Sequence, residues 1–149
     1  MAGARCCWQS SPVPVAGSHE SSRVALIVVD HGSRSEASNA SLETVVRQVA
    51  ESTGGRFAAV LAAHMDLASP TIPEAFDLAV AAGAQFVVVA LYFLAPGRHS
   101  ETDVPALVRD AAARHPGVGF AVTSPLGPDA AIAGVLLERA ESALSRRRS

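Results

Sequence analysis

Short apolar runs with strand character alternate along the chain with longer segments whose apolar residues recur at helical spacing, and this unit repeats four times. The first run spans residues 24–29. After it Leu42, Val45, Val46 and Val49 fall at i, i+3, i+4 and i+7, which places them on one buried helical face, and the Gly54-Gly55 pair closes that helix. A second strand over residues 57–63 leads to a helix buried through Ile72, Phe76, Ala79 and Val80 and ended by Gly83. Residues 86–91 are apolar without interruption, the pattern of a strand covered by helices on both faces, so this third strand should be central. Val104, Leu107, Val108, Ala111 and Ala112 mark the third helix. Residues 118–122 form the last strand, and Ile132, Val135 and Leu136 mark the last helix. Such alternation predicts an α/β fold: a small, doubly wound, mostly parallel four-stranded sheet with right-handed crossovers and helices on both faces. Ligands of such sheets bind beyond the carboxyl ends of the strands.

Composition narrows the field. A chain of 149 residues fits one domain, and 49% hydrophobic against 17% charged residues argues for a folded core over disorder. A formal net charge of −2 gives no basic field to attract a nucleic-acid backbone, so nucleic acid is not expected as a partner. The longest apolar run, residues 86–95, is half the ~20 residues that a spanning helix needs, so no membrane association is expected either. Cys6 and Cys7 are adjacent, which suits neither a stapling disulfide nor a tetrahedral cysteine site and fits a reducing compartment. Residues 1–22 are rich in serine and proline, carry no acid before Glu20, and read as a disordered or transit-like segment. Residues 23–144 then form the folded domain, and 145–149 a solvated basic tail.

The chemically capable side chains gather at the predicted carboxyl ends. Asp30-His31-Gly32-Ser33-Arg34 follows the first strand, His64-Met65-Asp66 the second, and Pro96-Gly97-Arg98-His99 the third, with Asp103 four residues on. Histidine titrates near neutrality and serves as a base or as a neutral metal ligand, so three on one rim outweigh the structural role that any one of them would suggest. Gly32 reads as a tight-turn glycine that also lets Ser33 and Arg34 offer backbone N–H groups to an anion. Arg34 and Arg98 are either ordinary surface cations or partners for substrate carboxylates. Asp66 either ligates metal or holds a histidine in one tautomer, and Asp30 orders the first loop. Asp103, just before Val104-Pro105, reads as a helix N-cap, and Thr71 with Glu74 as a capping box. His19 and His115 read as solvated. These residues describe a rim able to bind a divalent metal but do not fix a reaction.

The loop sequences are more specific. Val28 through Arg34 (VVDHGSR), Ala63 through Ile72 (AHMDLASPTI), Phe93 through His99 (FLAPGRH) and Ser124 through Pro128 (SPLGP) together resemble the sirohydrochlorin ferrochelatase and cobaltochelatase family, especially its short, plant-like members, over residues 24–137. The resemblance implies a class II chelatase domain that inserts Fe2+, or alternatively Co2+, into sirohydrochlorin without ATP, giving siroheme in the case of iron. It also implies a homodimer, because the short forms are half of the longer two-domain enzymes. The family's two active-site histidines fall on His31 and His99, and its second-loop carboxylate, often glutamate, on Asp66, one methylene shorter. His31, His99 and Asp66 are thus the expected metal ligands, with His31 also the acceptor of a pyrrole proton. Ser33, Arg34, Tyr92, Phe93 and Arg98 are the expected substrate-binding residues, Leu94 adding to an apolar floor. No resident cofactor is expected: the metal is substrate, and no cysteine near the C-terminus offers to hold the iron–sulfur cluster of some plant relatives. Likeness to plant forms and the transit-like start point to the plastid stroma, with the cytoplasm as the alternative. A non-catalytic tetrapyrrole or metal carrier, and a phosphate-binding regulator using the Gly32-Ser33-Arg34 loop, stay open as rival readings.

Overall fold

In the computed structural model, which describes residues 23–147, the strand–helix alternation is realised almost element for element. The chain runs β1 (Val24–Asp30), α1 (Glu36–Ser52), β2 (Ala59–His64), α2 (Ile72–Ala81), β3 (Phe86–Leu91), a π-helical turn (His99–Asp103), α3 (Val104–Ala113), β4 (Gly119–Pro125) and α4 (Ala130–Arg146). The expectations for residues 1–22, including Cys6, Cys7 and His19, lie outside the described residues, as do positions 148 and 149. At the other end α4 continues to Arg146, so Ser145 and Arg146 form its last turn where a tail was expected.

All four strands are parallel, in the order β2-β1-β3-β4. β3 shares the centre of the sheet with β1. The chain winds from β1 to β2 in one direction and then crosses over to β3 on the other side, so the order reverses between β1 and β3. Adjacent crossovers leave in opposite directions there and open a crevice at the carboxyl ends.

The two faces of the sheet are unequally covered. Ile27, Val29, Leu61, Val87 and Val89 point into a core closed by Ile72 and Phe76 of α2 and Val104 and Val108 of α3. Each such side chain contributes about 1.5–3 kcal/mol relative to an exposed one, which makes this layer the main source of stability. On the other face Leu42, Val46 and Ala50 of α1 cover Leu26, Val28, Val60 and Ala62 of β1 and β2. α1 does not reach across to β4, and α4 buries none of its residues, so Phe86 and Ala121 stay exposed on that face. Among the described residues no helix is long and apolar enough to cross a membrane.

α2 begins as the sequence predicts. The Thr71 hydroxyl accepts from the Glu74 N–H at 3.4 Å, and the Glu74 carboxylate accepts from the Thr71 N–H at 2.7 Å, completing a capping box. The Thr71 amide is the main cause that holds the Glu74 carboxyl below the ordinary glutamate value. His115, expected to be solvated, instead braces α2: its Nε2 lies 2.6 Å from Asp77 Oδ1, and its ring stacks on Phe76. Arg114 reaches the same Asp77 oxygen at 3.0 Å.

Candidate active site at the strand switch point

His31 immediately follows β1, and His99 opens the π-helical turn beyond β3, so the two central strands deliver both rings to the crevice. Their centroids are 5.0 Å apart, with the planes at 77°. Both are exposed at the rim. This near-perpendicular arrangement puts the two rings in direct contact at the carboxyl ends of the central strands.

The first loop is held by Asp30. Its Oδ1 accepts from the Gly32 N–H at 2.9 Å and lies 2.6 Å from Nδ1 of His64, which is 1% exposed. Parallel register explains the contact, since Asp30 and His64 are paired across β1 and β2. His64 is therefore a structural histidine, and Asp30 orders the loop as the sequence suggests. Gly32 has φ +81°, and a Cβ there would lie 1.9 Å from the Asp66 carbonyl oxygen. The turn accepts only glycine, because the first and second loops touch backbone to backbone.

The offered anion site is altered. The Ser33 N–H donates to Asn39 Oδ1 at 3.0 Å, and Asn39 Nδ2 donates back to the Ser33 carbonyl at 2.8 Å. The Ser33 amide is thus engaged by α1 rather than presented to a ligand, and its hydroxyl accepts from the Ser35 N–H. Arg34 is exposed at the same loop.

The structure does not bring Asp66 into a three-ligand set. Its Oδ1 accepts from the Leu67 N–H at 2.7 Å, supporting Leu67 in the left-handed region at φ +65°. Among the described residues no three His, Cys, Asp or Glu side chains are disposed to hold one ion.

Asp103 departs from its expected role. Its side chain caps no amide of α3; its Oδ2 lies 2.8 Å from His99 Nδ1, and its Oδ1 is 3.7 Å from Arg98 Nε. The physical reason is the π-helical turn: the backbone runs continuously from it into α3, with the Val104 N–H bonded to the His99 carbonyl, so no orphan amide awaits a cap. The buried Ser100 pins the turn by hydrogen bonds to both the N–H and carbonyl of Gly97.

Around the histidines lies an apolar rim. Tyr92 and Leu94 after β3 are exposed, and Phe93 is half-buried against the core. The sequence reading missed Leu67 after β2 and Leu126 after β4, which are also exposed at the carboxyl ends. An apolar residue in a loop carries no periodicity; the available signal was that both leucines lie within the loop stretches AHMDLASPTI and SPLGP that follow the strands. The Leu126 N–H donates to the Phe93 carbonyl at 2.8 Å and sets these two loops side by side.

The family profile for CbiX matches residues 25–143. Over 120 residues the chain is 46% identical to a protein of Arabidopsis thaliana named sirohydrochlorin ferrochelatase, chloroplastic; the match covers 80% of this chain and 52% of that one. It therefore spans about half the length of that relative. A sirohydrochlorin cobaltochelatase of Methanopyrus kandleri is 30% identical over 141 residues, covering 81% of this chain and 97% of its own. Among solved structures, a CbiX protein from Marinobacter aquaeolei VT8 superposes with TM-score 0.70 at 27% identity, covering 83% of this chain and 98% of that one. The sirohydrochlorin chelatase SirB from Bacillus subtilis subspecies spizizenii, in complex with cobalt, shares the fold with TM-score 0.73 at 23% identity, covering 80% of this chain and 50% of its own.

Proposed function

The chain belongs to the CbiX family, and from that premise we propose that it is a sirohydrochlorin ferrochelatase, inserting Fe2+ into sirohydrochlorin without ATP to give siroheme. The observation that carries the reading is the His31–His99 pair, 5.0 Å apart at the switch point of the sheet. Metal insertion requires an ion to enter the ring as two pyrrole N–H protons leave. The site therefore needs labile ligands for the ion and a base within reach of the ring. Neutral imidazole meets both needs, because it binds borderline divalent ions and accepts a proton near neutrality.

In this reading the two imidazoles would hold the incoming ion; as the nitrogens of the macrocycle replace its ligands, His31 would release it first, and its freed ring nitrogen would accept the two pyrrole protons in turn, passing each to solvent. Asp66, tied to the Leu67 amide, assists the approach of the hydrated cation from the neighbouring loop. Leu67, Tyr92, Leu94 and Leu126 offer a flat ring an apolar seat, with Phe93 supporting it from below. Arg34 and Arg98 stand at the edge for the ring's carboxylates, and Ser33 holds its loop in place. Iron is the substrate metal rather than a resident cofactor. It is favoured over cobalt by the higher identity to the plant ferrochelatase than to the cobaltochelatase.

Two further elements complete the proposal. The bare sheet face and the unpacked α4 support a homodimer in which each copy covers the other. The plastid is the compartment, as in the Arabidopsis relative. The test is anaerobic mixing of metal-free protein with sirohydrochlorin, adding Fe2+ or Co2+ separately, and following the absorption spectrum against a protein-free control. Faster conversion with Fe2+ supports the ferrochelatase, and faster conversion with Co2+ replaces it by the cobalt enzyme. Tight tetrapyrrole binding without acceleration for either ion would make the protein a carrier.

A further inference from the structure

The two histidines of the pair are held very differently. His31 Nδ1 has only a long contact, 3.4 Å, with the neighbouring Gly32 carbonyl. His99 Nδ1 lies 2.8 Å from Asp103 Oδ2, four residues on in the same π-helical turn. A carboxylate only accepts hydrogen bonds, so in the neutral ring the proton of His99 sits on Nδ1 and the lone pair on Nε2. The other oxygen of Asp103 faces Arg98 Nε at 3.7 Å, so the carboxylate is held from both sides.

The turn itself sharpens the point. In an α-helix residues i and i+4 are neighbours; the wider π-turn here runs from His99 to Asp103, its backbone closed by the Val104 N–H to the His99 carbonyl. Ser100, 6% exposed, clamps the start of the turn to Gly97, so the pair sits on a rigid base and not on a loose loop. Asp103 makes no capping bond to α3, which leaves its carboxylate committed to His99 and Arg98.

We propose that Asp103 is a positioning residue that locks His99 in the Nδ1–H tautomer and presents Nε2 as the fixed metal-binding nitrogen, while the loosely held His31 remains free to turn and carry the proton. The consequence for turnover rests on the chelatase reading; the tautomer does not.

The experiment compares the full chain with Asp103→Ala, using Asp103→Ala/His99→Ala and His99→Ala as references. Long-range 1H–15N spectra of the ring nitrogens, with His99 assigned by its loss in His99→Ala, report the tautomer without any need for activity. Wild type should show the Nδ1–H form, and Asp103→Ala a mixture with Nε2–H, at an unchanged thermal midpoint because no cap is lost. In the chelatase assay Asp103→Ala should raise KM for Fe2+ by about 10–100-fold, and should add nothing once His99 is absent. An unaltered tautomer in Asp103→Ala, or an equal loss of rate in the His99→Ala background, overturns the proposal. A wild-type protein without chelatase activity would remove the chelatase reading and leave the spectra to decide the role of Asp103.

Discussion

The ring of His31 stands edge-on to that of His99 at 5.0 Å, although the two leave different strands and no hydrogen bond joins them. Sheet order alone brings them together, because β1 and β3 are the neighbours between which the winding reverses. Replacing either histidine by alanine should lower chelatase turnover by about 10²–10⁴-fold, the usual contribution of a positioned acid or base. Both rings are exposed, so the thermal midpoint should move little. Normal turnover in His31→Ala or His99→Ala would remove that residue from the mechanism.

Much of this arrangement was legible in the sequence, for a physical reason. β1 is apolar up to Asp30 because helices cover both of its faces, and the polar Asp30-His31 marks where burial stops; β3 is apolar throughout although only one of its faces is fully buried, so its unbroken run overstated the cover it receives. What stayed hidden depends on register and turn type. Asp30 meets His64 only because β1 and β2 align these two positions, and no spacing within one segment encodes that. Asp103 before Val104-Pro105 has the pattern of an N-cap, yet a π-helical turn removes the free amide it would have capped. His115 looked solvated because its partner, Asp77, lies on another helix.

Asp30 should matter for stability as well as for the site. Its Oδ1 serves both the buried His64 ring and the Gly32 amide. Asp30→Ala leaves both donors without their acceptor and should cost about 2–4 kcal/mol, while Asp30→Asn, which keeps an acceptor, should cost less. Urea unfolding read by circular dichroism checks the order. Equal stability of Asp30→Ala and wild type would mean that His64 finds another partner.

Gly32 gives a steric prediction. A Cβ at this position would meet the Asp66 carbonyl oxygen at 1.9 Å, and the residue already sits at φ +81°. Both loops are backbone at the contact, so no side chain can swing away. Gly32→Ala should destabilise by at least about 2 kcal/mol and lower turnover with it, since His31 must shift. A variant of wild-type melting temperature and activity would show that the loops part freely.

The capping box of α2 should give a pH signature. The Thr71 amide lowers the Glu74 carboxyl below its unfolded value, so this contribution to stability is complete above the ordinary glutamate range and disappears as pH falls through the lowered value. Glu74→Gln removes the charge but keeps an amide acceptor. Its deficit should be about 0.5–1 kcal/mol at neutral pH, limited by the exposure of Glu74, and should vanish in acid. Urea midpoints of both proteins across that range test the sign, and a deficit that persists at low pH would mean the effect is not electrostatic.

The last helix supplies a test of the proposed homodimer. Ile132, Val135, Leu136, Ala140, Ala143 and Leu144 follow helical spacing along α4, yet the helix buries nothing, and Leu136 and Leu144 are 67% and 59% exposed. The sheet meanwhile leaves Phe86 and Ala121 exposed on the face that α1 does not reach. An apolar helix stripe and a bare apolar sheet face in one chain are complementary, and a two-fold axis lets two copies satisfy both at once. Size-exclusion chromatography with light scattering should therefore find a dimer at micromolar concentration, and the double variant Leu136→Glu/Leu144→Glu should be monomeric or insoluble. If wild type runs as a monomer whose thermal midpoint the double variant still lowers, α4 covers its own sheet and the homodimer is wrong.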